Sequence, residues 1–301
     1  MQIFYTDHFV LPLPDGHRFP MRKYAMLREK VEAAKLSGGE PLSVPQAASD
    51  ELILRAHDAA YLQRVVSGTL APAEIRRIGF PWTEQMVERS RRSSGATVEA
   101  CRAALRHGVA VSLAGGTHHA FSGYGAGYCV FNDAAIAALA MQFEGRAKRV
   151  LVVDCDVHQG DGTAAILADD SSVFTFSIHG AKNFPFRKAE SDLDVALPDR
   201  CGDQEYLAAL HDGLCHALSA SRPDLVIYLA GADPFEGDRL GRLSLSKDGL
   251  ARRDEMLFAM CSDMGVPVAT VMAGGYACRI EDTVAIHFNT VRLAADTHIY
   301  M

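Results

Sequence analysis

The segment Arg149–Thr163, RVLVVDCDVHQGDGT, constrains the fold of this chain more than any other. Its opening run, Val150–Val153, is apolar and rich in β-branched residues, the pattern of a strand buried on both faces. Such a strand belongs in a parallel sheet with helices on both sides. The run then turns polar: Asp154, Asp156, His158 and Asp161 follow in close succession. In open α/β sheets the carboxyl ends of strands are where ligands are held. Asp156 and His158 lie two apart, so in extended chain they share a face and reach one point. An oxygen and an imidazole nitrogen converging on a point suit a divalent transition metal such as zinc. Asp161 alone reads as a cap on the next helix, whereas the four together point to a site.

The rest of the chain alternates in the same way. Gln2–Tyr5, Val109–Leu113, Val173–Ile178, Asp224–Leu229 and Val266–Met272 read as strands. Between them, Met21–Leu36, Thr83–His107, Ala134–Phe143, Gln204–Ala220, Ser246–Met264 and Ile280–Ala295 carry helical patterns. Asn132-Asp133 and Ser246 are expected helix N-caps. Leu52–Leu54 reads as a further short strand, Ala71–Trp82 as an irregular loop, and Gly180–Asp203 as a long loop. The basic cluster Arg89, Arg91 and Arg92 reads as a solvated helix face. With no repeat, linker or low-complexity stretch, residues 1–301 are expected to form a single α/β domain, an open, mostly parallel β-sheet with helices on both faces.

The 301 residues carry a net charge of −7, which argues against a nucleic-acid-binding surface, since phosphate contacts want a basic face. Seven cysteines show no C-x-x-C and no regular spacing, and Met1–Phe9 has no signal-peptide pattern. A cytoplasmic protein with free thiols is expected. No apolar run approaches the roughly 18 residues of a membrane span. No coiled-coil seam indicates an oligomeric state.

Four strand ends carry polar clusters: His118-His119, Asp154 to Asp161, Asp233 and Tyr276. In a parallel sheet they line one edge. A catalytic metal needs a third protein ligand, and Asp233, alone after the strand DLVIYLAGA, is the best placed. Asp156, His158 and Asp233 would bring a formal charge of −2 to a divalent cation, and this carboxylate-rich set suits ferrous iron as well as zinc. Asp154 and Asp161 are left to hydrogen-bond the two adjacent histidines, which fixes tautomers and favours acid–base work. Tyr276 would offer a hydroxyl to a developing oxyanion. A metal-activated water, a histidine base and a tyrosine donor make a kit for hydrolysing an amide, with activity falling in acid as the base protonates.

These motifs resemble the zinc-dependent histone deacetylases and their bacterial relatives, the acetylpolyamine amidohydrolases. The matching pieces are GGTHHA (Gly115–Ala120), GYCVFND (Gly127–Asp133), VVDCDVHQGDGT (Val152–Thr163), FSIH (Phe176–His179), SDLDVALP (Ser191–Pro198), AGADPFEGDRLGRLSLS (Ala230–Ser246) and AGGYA (Ala273–Ala277). The compact length and GFPW (Gly79–Trp82) look most like the class IV-type and bacterial branch. The resemblance implies an arginase/deacetylase-like fold and hydrolysis of an N-acyl amine: an acetyl-lysine peptide, an acetylpolyamine or a small acylated metabolite. It implies zinc on Asp156, His158 and Asp233, and His119 as acid–base residue with His118 polarising the water. Asp154 would pair with His118 and Asp161 with His119, while Tyr276 would bind the scissile carbonyl. Gly127 would hold the substrate amide, and Tyr128, Phe184 and Leu240 would wall the acyl tunnel. A structural potassium is implied near Asp154, with Asp156, His158, Ser177 and Ile178. Arg18, Arg22 or Lys23 are implied along an exit path for acetate.

Two departures stand out. Tyr128 takes a place usually held by Phe, and GFPW replaces the region of a rim aspartate that grips substrate backbone in class I enzymes. Two other readings remain. One is a binuclear manganese, arginase-like ureohydrolase, because Asp154, Asp156 and His158 form a D-x-D-x-H run, although Phe235 stands where a second D-x-D would need its carboxylate. The other is a catalytically silent module that binds acylated ligands.

Overall fold

The computed structural model describes residues 1–298. The strands are β1 (Gln2–Phe4), β2 (Val109–Ser112), β3 (Val150–Asp154), β4 (Val173–Gly180), β5 (Leu193–Leu197), β6 (Leu225–Ala230) and β7 (Val268–Met272). They form one sheet in the order β1-β2-β7-β6-β3-β4-β5, and every neighbouring pair is parallel. This is the open, doubly covered α/β sheet expected, with the arginase/deacetylase-like architecture.

Alternation along the strands assigns side chains to two cores, because successive residues point to opposite faces. Val150 and Val152 pack into one core, Leu151 and Val153 into the other. Helix α5 (Glu84–His107) and helix α6 (Asp133–Phe143) cover the first face. The two helices pack on each other, tied at one end by Thr97 donating to Asp133 and at the other by the Arg102–Glu144 ion pair. Helices α1 (Arg22–Ala33), α8 (Asp203–Ser221), α9 (Lys247–Asp263) and α10 (Ile280–His298) cover the second. The expected caps form: Asn132 accepts from the N–H of Ala135, and Ser246 from that of Gly249.

Several local expectations are corrected. Residues 50–53 are a short helix, α2 (Asp50–Ile53), capped by Ser49, where Leu52–Leu54 had suggested a strand. A three-residue apolar run fits either element, and the cap decides. Helix α3 (Ala59–Ser67) follows it, and α4 (Pro72–Ile78) lies within Ala71–Trp82, opening on Pro72 and closing on Gly79 at φ +85°. The long loop after Gly180 contains the edge strand β5. Arg89 is buried, not solvated; Arg91 and Arg92 are half-buried and donate to the carbonyls of Ala48 and Pro45. The domain assignment's last residues, 299–301, lie outside the described residues. No helix among the described residues is long and apolar enough to cross a membrane.

Candidate active site

Because all strands run the same way, the segments after β2, β7, β6, β3 and β4 emerge side by side. The β3 exit delivers Asp154, Asp156, His158 and Asp161, the last being the first residue of helix α7 (Asp161–Leu167) with Gly160 at the cap position; the β2 exit delivers His118 and His119, the β6 exit Asp233, and the β7 exit Tyr276. All eight side chains are buried.

The two histidines are paired as expected. Nδ1 of His118 donates to Asp154 Oδ2 at 2.6 Å, and Nδ1 of His119 donates to Asp161 Oδ1 at 2.6 Å. Each carboxylate thereby fixes its partner's tautomer and leaves Nε2 free. The rings lie 4.1 Å apart between centroids. Burial works against charge on His118, but Asp154 and Asp156 outweigh it and lift the imidazole to about 9. Burial and the charge of His118 outweigh Asp161 at His119 and lower it to about 4. The pair is thus electrically asymmetric, one ring favouring a proton and the other resisting it.

Asp156, His158 and Asp233 each offer a ligand atom, all within 4.8 Å of one another. His158 Nδ1 lies 2.9 Å from Asp156 Oδ1 and 3.3 Å from Asp233 Oδ2. Asp233 Oδ1 accepts from the N–H of Val157 at 2.9 Å, yet Oδ2 is buried with no hydrogen-bond partner among the described residues. An orphaned carboxylate oxygen is costly unless a cation meets it. Burial and the Asp156 carboxylate raise Asp233 to about 7, while against the pull of burial the hydrogen bond to Asp156 and the nearby Asp233 carboxylate lift His158 to about 10. The three side chains thus favour positive charge between them. Gly274 completes the cradle: a Cβ there would stand 1.9 Å from Asp233 Oδ2 and 2.5 Å from Asp156 Oδ2. The donor set fits zinc or ferrous iron.

A cavity of about 740 Å³ opens above this cluster. His118, His119, Asp156, His158 and Tyr276 line its floor. Gly127, Tyr128, Phe184 and Leu240 line it too. The Phe184 ring meets the His119 ring edge-on, 4.9 Å between centroids. Gly127 sits at φ +53°, and a Cβ there would come 2.6 Å from the His119 ring. Glycine therefore lets the backbone pass over the imidazole. Tyr128, at φ +67°, packs against Phe19 and Phe80. Burial, with the Asp156 and Asp233 charges, holds the Tyr276 phenol well above its ordinary value, so it remains a donor. On the far side of Asp154, Ser177 pairs with it in the β3–β4 register, and the Ser177 hydroxyl is 3.0 Å from His179 Nδ1. Ile178 follows Ser177 in β4, where its side chain is buried in the second core.

Of the basic residues tied to an exit path, Lys23 lines the cavity, its Nζ donating to the carbonyls of Ala273 and Gly275. Arg18 is exposed, and Arg22 lines a smaller neighbouring cavity instead.

Four supporting residues were not legible from spacing. Asp238 accepts the backbone N–H groups of Leu240, Gly241 and Tyr276, at 2.8, 3.0 and 2.6 Å, and so pins the Tyr276 turn. Asp133 does the same before the histidines, accepting from the N–H of Gly116 and Thr117. Arg253 is fully buried beneath the metal cluster, where it binds the carbonyls of Gly231 and Cys155. Arg89 lines the closed side of the cavity. A mid-helix Arg followed by Asp, as at 253–254, is too common a pattern to single out.

Comparison with known proteins agrees with this architecture. The Histone deacetylase domain model matches residues 17–291. The chain is 44% identical over 296 residues to an uncharacterised protein of Picosynechococcus sp., covering 98% of this chain and 99% of that one. It is 28% identical to the histone deacetylase-like amidohydrolase of Pseudomonas aeruginosa, over 88% of this chain and 74% of the relative. In fold it matches the crystal structure of an HDAC homologue from Aquifex aeolicus with a TM-score of 0.85, at 22% identity, over 98% of this chain and 84% of that one. The chain therefore belongs to the histone deacetylase family, hydrolases that act on amide bonds.

Proposed function

We propose that residues 1–301 form one catalytic domain that deacylates N-acyl amines at a single divalent metal, zinc or ferrous iron, held by Asp156, His158 Nδ1 and Asp233 Oδ2. The observation that carries this reading is the convergence of two His–Asp pairs, at 2.6 Å each, on a carboxylate–imidazole–carboxylate cluster whose Asp233 Oδ2 has no hydrogen-bond partner among the described residues. When bound, the metal supplies an acidified water and polarises the substrate carbonyl.

The residues of the chain do the rest. His119, neutral at working pH and oriented by Asp161, accepts the water proton at Nε2 and returns it to the leaving nitrogen. His118, held by Asp154, adds positive character beside the developing oxyanion. The Tyr276 hydroxyl donates to that oxyanion, and such a donor is worth roughly 10²–10³ in rate. The products are a carboxylate and a free amine. The Gly127 carbonyl accepts the substrate amide N–H, while Tyr128, Phe184 and Leu240 align the acyl-amine stem. We assign a structural potassium to the Asp154 side chain with the backbone of Asp156, His158, Ser177 and Ile178, where it would stiffen the β3–β4 exits. The protein is proposed to act in the cytoplasm, without nucleic-acid contact.

Turnover of fluorogenic acyl-lysines and acetylated polyamines by zinc-reconstituted protein tests this reading. Hydrolysis that Tyr276→Phe and Asp233→Ala abolish supports it. Near-normal turnover by both variants, each with native circular dichroism, rejects it.

A further inference from the structure

The chain as a whole is acidic, with 37 Asp and Glu against 30 Lys and Arg, yet the mouth of the cavity is not. Three separate segments bring exposed cations to its lining: Arg76 and Arg77 at the end of α4, Lys182 in the loop after β4, and Arg239 and Arg242 in the loop after β6. Asp156, at the floor, is the only carboxylate lining the cavity among the described residues.

Surface cations are often no more than solvated ends, and Arg76 and Arg77 in the last turn of α4 do favour the helix dipole. The pattern of partners favours more than that. Glu74, the acid of α4, is paired with Arg64 at 3.0 Å rather than with either arginine. Arg77 instead lies over the Tyr124 ring, 4.7 Å from its centroid, and its carbonyl accepts the N–H of Gly127. Arg239 is anchored by its Nε to the Tyr276 carbonyl at 3.0 Å. Arg242 and Lys182 share one carboxylate, Asp199, at 2.6 and 3.9 Å, which leaves that trio one positive charge in excess. Beside them Phe186 is 90% exposed, an apolar contact at the same opening.

We infer that this mouth selects N-acyl amines whose amine half is anionic. The inference rests on the reading of the site as an N-acyl amine hydrolase. Cations gathered around a low-dielectric cleft focus a field that draws anionic ligands and repels cationic ones. A carboxylate flanking the acylated nitrogen would meet the cations that line the mouth, Arg77 and Arg239 among them. An acylated polyamine or a basic peptide would face uncompensated like charge, which costs affinity and association rate.

Three N-acetyl-lysine tripeptides, identical except for flanking Glu, Gln or Arg, test this with the metal-loaded full chain. A monoacetylated polyamine serves as a fourth substrate. At low salt the Glu peptide should exceed the Arg peptide about tenfold in kcat/KM, with the Gln peptide between. Near 0.5 M salt the ratio should shrink, because the Debye length falls to about 4 Å. The double variant Arg76→Glu/Arg77→Glu should reverse the ranking of the Glu and Arg peptides at low salt. Equal rates on all three peptides, or a preference for the Arg peptide or the polyamine, would overturn the inference while leaving the hydrolase reading intact. Absence of turnover by the metal-loaded wild type on every substrate, the neutral one included, would overturn both.

Discussion

The backbone N–H of Asn132 donates to Nε2 of His57 across 2.9 Å, deep beneath the tandem histidines. The bond requires a neutral ring with its proton on Nδ1, which lies 3.3 Å from the Ser122 carbonyl. The Asn132 side chain in turn donates to the carbonyls of His118 and Ala120 and caps α6. A buried, uncharged imidazole thus underpins the turn that presents His118 and His119.

That relationship has a stability consequence. Burial lowers His57 to about 4 in the fold, against 6.5 for an exposed imidazole. Between those values the unfolded chain binds a proton that the folded chain refuses. Stability should therefore be intact above pH 6.5 and decline as pH falls toward 4. The loss attributable to His57 is roughly 2–3 kcal/mol. Urea denaturation of the wild type and of His57→Gln at pH 7 and pH 4.5 isolates it. The variant should lose less stability between the two pH values, and parallel losses would show that His57 is not the group involved.

The metal cradle gives a second prediction that needs no substrate. In Gly274→Ala the new methyl would overlap Asp233 Oδ2 and Asp156 Oδ2. The variant should keep the far-ultraviolet circular dichroism of the wild type and lose stoichiometric metal. A variant that still holds one metal per chain with unchanged affinity would mean the ligands lie elsewhere.

How far the site could be read in the sequence depends on how local its geometry is. Asp154, Asp156 and His158 were legible because a strand exit has a two-residue period and the β3 run announces the strand. Asp233 and Tyr276 were legible once the strands were known to be parallel, since their exits then share an edge. Asp238 was not, because the groups it binds at Leu240, Gly241 and Tyr276 come together only after β6 and β7 pair. Arg89 was misread because a cluster of three arginines on one helix gives no sign of which one turns inward over Phe19 and Tyr24. The short helices α2 and α4 were missed for a plainer reason, as one or two turns are too few to show a 3.6-residue period.

Arg253 supplies a third prediction. Its guanidinium binds Asp254 at 2.8 Å and, at full burial, the carbonyls that precede Asp156 and lie two residues before Asp233. Arg253→Met would leave Asp254 buried with its charge uncompensated, a loss of roughly 3–5 kcal/mol. In thermal melts that is a drop on the order of 10 °C for a chain of this size. Arg253→Lys, which keeps a cation, should fold more stably than Arg253→Met but bind metal more weakly than the wild type, because one ammonium cannot hold two carbonyls and a carboxylate in the same fork. Wild-type metal affinity in Arg253→Lys would confine Arg253 to a role in the core.

The pH profile of turnover tests the roles of the two histidines. A base must be neutral to take the water proton, so activity falls as pH drops below its pKa. An exposed imidazole would place that limb near 6.5. Burial and the neighbouring His118 lower His119 to about 4, so kcat/KM should stay level from pH 8 down to pH 5 and fall only below that, with metal content checked at each pH. Asp161→Asn removes the carboxylate that fixes the Nδ1–H tautomer, and activity should fall roughly 10²–10⁴-fold at every pH. An acid limb near 6.5 in the wild type, or near-normal activity in Asp161→Asn, would move the base away from His119 and leave its pairing with Asp161 as packing beneath the site.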